Sequence, residues 1–196
     1  MSRQAAALVL GMLPLALLAA CTSARAHLYT LEETPRETAV AIGARPTVVL
    51  GPISLPEMVD RPQLAVREGA YGVTIHEQER WAAPLKESMP RLLARELTRR
   101  VDDRRFVPAS GVAINGPNAR LLIDISTLDM ARTGVSLSAH WVYRPLLHDA
   151  MPIEGDTETH AEITLGEYAG YVDALRRAAL ALADDIAAQL ASHAVR

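Results

Sequence analysis

The sequence predicts an α+β fold: a single domain in which two main helices pack on one face of a mostly antiparallel or mixed sheet. Residues 135–144 and 158–165 alternate apolar and polar side chains, which is typical of strands with one covered and one solvated face. Residues 79–101 and 165–193 carry apolar side chains at spacings of three and four, as amphipathic helices do. Strands in several groups, with one central and one C-terminal helix, favour this architecture.

The first 20 residues have the form of a signal peptide. Arg3 is their only charged side chain, and residues 5–20 form an uncharged, mostly apolar run that Pro14 interrupts. This run of about 16 residues is shorter than the ~20 residues that a bilayer-spanning helix needs. A charged tip, an apolar core and small residues at the end predict a cleaved leader over residues 1–20. A plain N-terminal anchor helix is the alternative.

The motif Leu18-Ala19-Ala20-Cys21 ends in the only cysteine of the chain. It resembles the lipobox of bacterial lipoproteins. This resemblance implies that the Cys21 sulfur carries a diacylglyceryl group, that the leader is cut before Cys21 and that the new amino group is acylated. Two or more fatty chains anchor a protein stably, whereas one chain binds a membrane only marginally. The alternative, a lone buried thiol, is disfavoured because small and polar residues follow at positions 22–25.

Residues 21–27 are predicted to form the lipidated N-terminus and a short tether, and residues 28–196 the folded domain. A flexible linker of about five residues spans only about 12 Å, so the domain is expected close to the membrane surface. By similarity to enteric lipoproteins, Thr22 and Ser23 lack the aspartate that retains such proteins at the inner membrane. This favours the inner leaflet of the outer membrane, with the domain facing the periplasm.

The charge of the chain argues against nucleic acid as a partner. The 20 basic residues stand against 23 acidic ones, a formal net charge of −3 at pH 7, so no basic excess exists to neutralise phosphates. With a single cysteine no intrachain disulfide can form, and the fold must be stabilised by its core. The chain is long enough for one such core besides the leader.

The first half of the chain predicts short strands separated by turns. Gly51-Pro52 interrupts an apolar run and indicates a bulge or an edge strand. The turn-like insert from Glu68 to Gly72 joins two extended segments and predicts a hairpin. In order, strands are expected over residues 27–31, 47–55, 63–67 and 73–76, with a polar loop over residues 32–45.

The first helix is predicted over residues 79–101. Pro84 is compatible with a first turn, whereas Pro90 in a helix interior costs about 3 kcal/mol. We therefore expect a kink at Pro90, or a restart of the helix with Ser88 as its cap. The apolar stripe consists of Trp81, Leu85, Met89, Leu92, Leu93, Leu97 and Val101.

The second half of the chain predicts a longer set of strands. Phe106-Val107 is interpreted as a short apolar pair between two loops, residues 102–105 and 108–118. Strands are expected over residues 120–130, 135–144 and 158–165, the first two joined by a turn at residues 132–134.

The last helix is predicted to begin with a capping box. Thr164 and Glu167 have the required spacing, and Ile163 and Tyr168 are placed for a hydrophobic staple. The buried stripe of this helix consists of Tyr171, Leu175, Ala178, Leu182, Ile186 and Leu190.

The motifs of several common enzyme classes are missing from the sequence. The only lysine, Lys86, does not stand in a phosphate-binding P-loop, and Gly134-Val-Ser-Leu-Ser138 lacks the final glycine of a nucleophile elbow. Adjacent carboxylates such as Asp184-Asp185 point apart and are poor acid–base partners. We assign no catalytic residue and no cofactor, and predict that the chain is not an enzyme.

The histidines do not indicate a metal centre. None of the six is paired at the spacing of a zinc-binding helix, so no metal ligand is assigned. At His76-Glu77-Gln78-Glu79 we favour a solvated junction between a strand and the first helix over a metal site. His140 and His160 could face each other on the solvated side of neighbouring strands, which indicates cross-strand pairing rather than catalysis.

Four short motifs within residues 28–101 carry a resemblance to a known family. They are Leu50-Gly51-Pro52, Leu55-Pro56, Asp60-Arg61-Pro62-Gln63 and Glu79-Arg80-Trp81-Ala82-x-Pro84-Leu85. Together with the lipobox and Tyr29-Thr30-Leu31, they are similar to the PqiC/YmbA-type lipoproteins. These are the ABC-type transport auxiliary lipoproteins of the paraquat-inducible intermembrane transport system. The C-terminal half matches in pattern more than in residues.

The resemblance implies a non-catalytic outer-membrane lipoprotein. It would dock a periplasm-spanning, PqiB-like MCE-domain protein and, through it, an inner-membrane component, with phospholipid moving through the MCE assembly. Ring-like homo-oligomers are also implied. The docking candidates are Arg61, Pro62, Trp81, Pro84 and Leu85, with a core position as the alternative for Trp81. A structural lipoprotein of another envelope or secretion system, or a periplasmic lipoprotein hydrolase, remains as an alternative function.

Overall fold

The structure, a computed structural model, describes residues 25–32, 45–111, 116–146 and 150–194. These residues form eight strands and two helices, which confirms the α+β class. Cys21, the leader and most of the expected loop over residues 32–45 lie outside them. The strands are β1 His27–Tyr29, β2 Thr47–Ser54, β3 Gln63–Glu68, β4 Gly72–Trp81, β5 Arg105–Pro108, β6 Ala119–Ala131, β7 Gly134–Pro145 and β8 Ile153–Ala161. The helices are α1 Leu85–Arg100 and α2 Glu167–Ala194.

The longest part of the sheet is the hairpin of β6 and β7. These strands, of 13 and 12 residues, pair antiparallel along their length around the predicted turn at residues 132–134. On its other edge β7 pairs antiparallel with β8. The three strands therefore form a continuous antiparallel region.

The second edge of β6 is shared by two strands that lie one after the other along it. β2 pairs parallel with the first half of β6, from Val48 opposite Ala119 to Ser54 opposite Asp124. β3 reaches only the last residue of β6, Ala131. β5 extends the sheet beyond β2, and β4 followed by β1 extends it beyond β3. The sheet is therefore mixed, and it forks into two branches at β6.

Both helices cover one face of the sheet. On β7, Val135, Leu137 and Trp141 are fully buried while His140 on the opposite face is exposed, as the alternation predicted. α1 packs on β2 and β5, α2 packs on β7 and β8, and the helices contact each other. Of the predicted stripe of α2, five residues belong to the hydrophobic core and Tyr171 is half-buried against it; the five are Leu175, Ala178, Leu182, Ile186 and Leu190. Of the helices in the described residues, neither is long and apolar enough to cross a membrane.

Trp141, the largest fully buried side chain of the described residues, depends on a glycine in the neighbouring strand. Gly155 of β8 lies opposite Trp141, and a Cβ atom at position 155 would come within 2.6 Å of Trp141 Cζ2. Trp141 Nε1 donates to Thr157 Oγ1 at 3.2 Å, and Thr157 donates onward to Asp185 of α2. The indole therefore joins β7, β8 and α2 with its N–H hydrogen-bonded.

The first helix is shorter than predicted because residues 79–81 belong to β4. Their backbone pairs with β1, and Trp81 N donates to Pro62 O at 2.7 Å. These partners are distant in sequence, so the apolar spacing that includes Trp81 indicated a helix instead. α1 begins at Leu85, directly after Pro84.

α1 continues without a break through Pro90, so the predicted restart at Ser88 is wrong. Ser88 Oγ donates to the carbonyl of Pro84 at 3.2 Å, one turn earlier. A kink at Pro90 stays a prediction. Within α1 the stripe is confirmed, since Leu85, Met89, Leu92, Leu93 and Leu97 are buried; Val101 follows the helix and is half-buried.

β8 and the start of α2 lie at other residues than predicted. β8 keeps the predicted alternating phase but spans Ile153–Ala161 rather than residues 158–165. α2 begins at Glu167, whose φ of +57° is not helical, so the capping box with Thr164 is not formed. Gly170 permits this entry into the helix, because a Cβ atom there would collide with the carbonyl oxygen of Leu165.

Three features of the remaining strands bear on the predictions. The pair Phe106-Val107, expected between loops, forms β5 and pairs parallel with β2. Four residues are too few for an alternation to be recognised. The bulge at Gly51-Pro52 is confirmed by the register shift between Leu50 and Ile53, where Gly51 has a φ of +116°. The hairpin of β3 and β4 is also confirmed.

Replacing Gly155 by alanine is expected to lower the free energy of unfolding by about 1–3 kcal/mol, because the added methyl group must displace Trp141 in a filled core. Denaturant unfolding followed by tryptophan fluorescence measures this. Gly166→Ala is the matched control, since a Cβ atom there meets nothing within 4 Å among the described residues. It should change the value by less than about 0.5 kcal/mol. Equal effects of the two variants would contradict the packing described for Trp141.

Candidate functional site

The docking candidates from the sequence meet at one corner of the fold. The turn of residues 56–62 follows β2, and the end of β4 pairs back to it through Trp81. Lys86 in the first turn of α1 reaches the carboxylate of Asp60 at 3.3 Å. We call residues 56–62 together with residues 82–84 the proline corner. It brings the motif of residues 60–63 and the motif of residues 79–85 together in space.

Burial divides the five docking candidates into two groups. Trp81 and Leu85 are only 6% and 1% exposed and belong to the hydrophobic core. They pack inside the fold next to the proline corner and are not accessible to a docking partner. Pro62 and Pro84 are exposed, and Arg61 is half-buried. A partner that meets the corner would contact these last three residues.

Two hydrogen-bond donors near the corner are buried without an acceptor among the described residues: Arg61 Nε and Trp81 Nε1. A buried donor that lacks an acceptor costs about 1–3 kcal/mol, and such groups are few in folded proteins. Neither donor is matched by an acceptor among the described residues.

A cleft of about 530 Å³ opens where the branch of β1, β3 and β4 meets the first turn of α2. The turn after β6 also contributes to it. We call it the aromatic cleft. The described residues that line it are His27, Tyr29, Val66, Glu68, His76, Glu79, Arg132, Glu167, Tyr168 and Tyr171.

Glu79 is the buried charge of the aromatic cleft and is 8% exposed. Tyr29 Oη donates to Glu79 Oε2 at 2.6 Å, and His27 Nδ1 lies 2.8 Å from Glu79 Oε1. The hydrogen bond from Tyr29, assisted by His27, holds the pKa of Glu79 below its usual range against the effect of burial. Burial and the bond to Glu79 raise the pKa of Tyr29 to about 12. At neutral pH an ionised carboxylate therefore accepts from a neutral phenol.

A second wall of the aromatic cleft consists of three neighbouring aromatic rings. Tyr168 Oη and His76 Nδ1 lie 3.0 Å apart, and the two rings meet edge to face with centroids 4.7 Å apart. The ring of Tyr171 follows, with its centroid 6.5 Å from that of Tyr168. Both tyrosines come from the start of α2, so the position of this helix determines the width of the cleft.

The histidines on the solvated face take partners other than each other. His140 lies opposite Asp156, with Nδ1 2.9 Å from Oδ1, and His160 lies opposite Ser136, with 3.1 Å between Nδ1 and Oγ. Cross-strand pairing is therefore confirmed. The pairing of His140 with His160 is wrong, because the register of β7 and β8 places them at different levels of the sheet.

His76 and Glu79 do not lie at a solvated junction between a strand and a helix. Both are within β4, where Glu79 is buried. Within residues 25–32, 45–111, 116–146 and 150–194, no group of three or more histidine, cysteine or carboxylate side chains is arranged to hold a metal ion.

Sequence reasoning missed the aromatic cleft. Its central pair, Tyr29 and Glu79, is separated by 50 residues, and a helix was expected where Glu79 lies. One signal was available: as a strand, residues 79–81 place the side chains of Glu79 and Trp81 on the same face. The parallel pairing with β1 that completes the site leaves no local pattern.

Comparison with known proteins finds one family. A family model described as "ABC-type transport auxiliary lipoprotein component" matches residues 29–187, from β1 into α2. No curated protein matches the chain.

Two solved structures share the fold at low sequence identity. The crystal structure of an uncharacterized protein matches with a TM-score of 0.69 and 12% identity, covering 85% of this chain and 99% of that one. The crystal structure of protein XCC0632 from Xanthomonas campestris matches with a TM-score of 0.61 and 13% identity, covering 84% and 93%. At such identities the likeness shows the fold alone.

Tyr29→Phe is expected to lose less stability than the wild type as the pH becomes alkaline. The pKa of Tyr29 is about 12 in the folded protein and about 10 in an unfolded chain, so the unfolded state loses this proton first. The contribution is full below about pH 10 and is lost as the pH rises towards 12. The free energy of unfolding should therefore fall more steeply for the wild type than for Tyr29→Phe between about pH 9 and about pH 12.

The control for this measurement is Tyr71→Phe, at a side chain that is 98% exposed. It should keep the alkaline slope of the wild type. Parallel curves for the wild type and Tyr29→Phe would show that the phenol is not coupled to the Glu79 carboxylate.

Proposed function

Because the chain belongs to the family of ABC-type transport auxiliary lipoprotein components, we propose that it is a non-catalytic subunit of an MCE-type intermembrane phospholipid transporter. It would be anchored in the outer membrane through Cys21, with its domain in the periplasm, and would dock the periplasm-spanning MCE-domain protein. The observation that carries the proposal is the family match over residues 29–187, which runs from β1 into α2.

The start of the fold supports a lipid anchor at Cys21. β1 begins at His27, within the segment 21–27 expected to form the tether. Five residues separate Cys21 from this strand, and a segment of that length spans at most about 18 Å even when fully extended. A lipid at Cys21 would hold the domain beside the membrane, where a dock for a periplasm-spanning protein is needed.

The proline corner is the surface that we propose for docking. Pro62 and Pro84 are exposed there, and they lose little conformational freedom when a partner covers them. Arg61 is half-buried there, and its positive charge would attract a carbonyl or carboxylate of the partner. The partner would be a PqiB-like MCE-domain protein, connected in turn to an inner-membrane component. A closed ring of identical copies would suit a subunit that caps a tube-shaped partner.

The electrostatics of the aromatic cleft support a non-catalytic role. General acid–base catalysis is most efficient when the catalytic pKa lies near the working pH. The pKa of Glu79 is below its usual range, which makes its carboxylate a weak base. The pKa of Tyr29, about 12, makes its phenol a poor acid at neutral pH. This pair is therefore poorly suited to general acid–base catalysis at neutral pH.

Cys21→Ser is expected to release the protein from the membrane, because it removes the only thiol that can carry a diacylglyceryl group. Cell fractionation should find the wild type in the outer membrane and the variant outside it. The mass of the mature N-terminus should show an acylated Cys21, and Ser23→Ala serves as the control that keeps it. Wild-type protein without acyl groups, or a variant that stays in the outer membrane, would contradict the anchor.

Arg61→Glu is expected to weaken capture of the MCE-domain protein about tenfold, because it reverses a charge in the docking surface. Capture in detergent, with bound proteins identified by mass spectrometry, measures this. Arg120→Glu is the control, since Arg120 is exposed on β6 outside the proline corner. Thermal unfolding of both variants verifies that they fold.

The outcomes test the proposed partner and the proposed docking surface separately. If the wild type captures no MCE-domain protein, the proposed partner is wrong. If the two arginine variants lose capture equally, the partner stands but the proline corner is not its docking surface. Deletion that weakens the lipid barrier while secretion stays intact would distinguish this function from that of a structural lipoprotein of a secretion system.

A further inference from the structure

Anchoring and docking use Cys21 and the proline corner, and neither uses the aromatic cleft. The volume of the cleft, about 530 Å³, is within the range of small-molecule sites, about 300–1,000 Å³. Three glutamates line it against one arginine and two histidines. This excess of carboxylates favours a ligand with a cationic group.

The carboxylate of Glu79 is suited to hold an ammonium group. It is ionised at neutral pH, and its orientation is held by Tyr29 and His27. A carboxylate offers about four acceptor positions, of which these two neighbours occupy two. The remaining lone pairs can accept from N–H donors, and such charge-assisted hydrogen bonds are about twice as strong as neutral ones.

The phenol rings of the cleft add a second attraction for a cation. Tyr29, Tyr168 and Tyr171 all line it, and a cation within about 6 Å of a ring centroid is attracted by the face of the ring. Val66 is the only aliphatic side chain among the described residues that line the cleft. The lining therefore fits a small polar group and not a fatty chain.

Arg132 supplies a positive charge, opposite in sign to that of the Glu79 carboxylate. Arg132 lines the cleft from the turn after β6, and guanidinium groups bind phosphate through paired hydrogen bonds. A ligand that carries both an ammonium and a phosphate would satisfy both charges. Phosphoethanolamine is the smallest common headgroup of this kind.

We propose that the aromatic cleft binds the phosphoethanolamine headgroup of a membrane phospholipid, with its ammonium at Glu79 and the tyrosine rings and its phosphate at Arg132. The choice of a lipid as the source rests on the proposed function. His27 and Tyr29 line the cleft and belong to the strand that follows the tether, so a lipid at Cys21 would hold the cleft near the bilayer. Free phosphoethanolamine compounds carry the same chemistry.

In the first experiment, calorimetry measures the binding of glycerophosphoethanolamine and of glycerophosphocholine to the mature acylated protein in detergent. The ethanolamine compound is expected to bind about tenfold more tightly, because its primary ammonium donates hydrogen bonds to a carboxylate and choline has no N–H. Equal affinities, or binding of neither compound, would overturn the proposal.

Variants then separate the two ends of the ligand. Glu79→Gln should weaken glycerophosphoethanolamine about tenfold. Arg132→Gln should weaken it by a similar factor, about tenfold, yet leave the affinity for ethanolamine alone unchanged. Arg132 is exposed, so this variant decides the question if Glu79→Gln does not fold. Glu154→Gln, exposed on β8 outside the cleft, should bind as the wild type does. Unchanged binding by Arg132→Gln would overturn the phosphate contact.

The source of the headgroup is tested in bilayers. Protein reconstituted into discs of equal phosphatidylethanolamine and phosphatidylcholine is released for native mass spectrometry. Retained phosphatidylethanolamine in the wild type, lost in Arg132→Gln, is the expected result. Binding of the soluble headgroup without any retained lipid would overturn the lipid as the source.

The MCE-domain capture distinguishes this proposal from the proposed function. Capture by a protein that binds no headgroup would remove the headgroup site and leave the transport role. Headgroup binding by a protein that captures no MCE-domain partner would remove the proposed function and leave the headgroup site.

Discussion

The hydrogen bonding of β6 is the constraint on which the rest of the structure depends. One edge of this strand pairs with β7 along its length, and the other edge is divided between β2 and β3. Because two strands share one edge, the sheet separates into a branch of β2 and β5 beneath α1 and a branch of β3, β4 and β1. The space between the second branch and the first turn of α2 is the aromatic cleft.

Two buried glutamates fix elements that hydrophobic packing alone would leave loosely placed. Glu79 ties the three-residue strand β1 to β4. Glu96, 4% exposed, accepts from Arg100 at 2.7 Å, and Arg100 also binds Asp184 of α2, so the helices are joined. Burial by itself would raise the pKa of Glu96, but Arg100 and the neighbouring arginine charges hold it below its usual range. Each buried carboxylate therefore has hydrogen-bonding partners that offset the cost of its burial.

β1 connects the surfaces to which we assign roles. Tyr29 Oη donates to Glu79 in the aromatic cleft, while Tyr29 O accepts from Ala82 N of the proline corner at 2.7 Å. Five residues, 22–26, separate Cys21 from the start of this strand. One short strand therefore contacts both the aromatic cleft and the proline corner and follows the proposed lipid anchor.

The sequence by itself determined the fold class, the long hairpin of β6 and β7 and most of the apolar stripes of both helices. These features follow from periodicities of about 2 and 3.6 residues within single segments. Only the tertiary structure decided that residues 79–81 extend β4, that Phe106-Val107 forms a strand, and that Trp81 and Leu85 are core residues. Each of these outcomes, like the meeting of Tyr29 with Glu79, depends on pairing between residues far apart in the chain. Local periodicity carries no information about which distant strand will supply the hydrogen bonds or in which register.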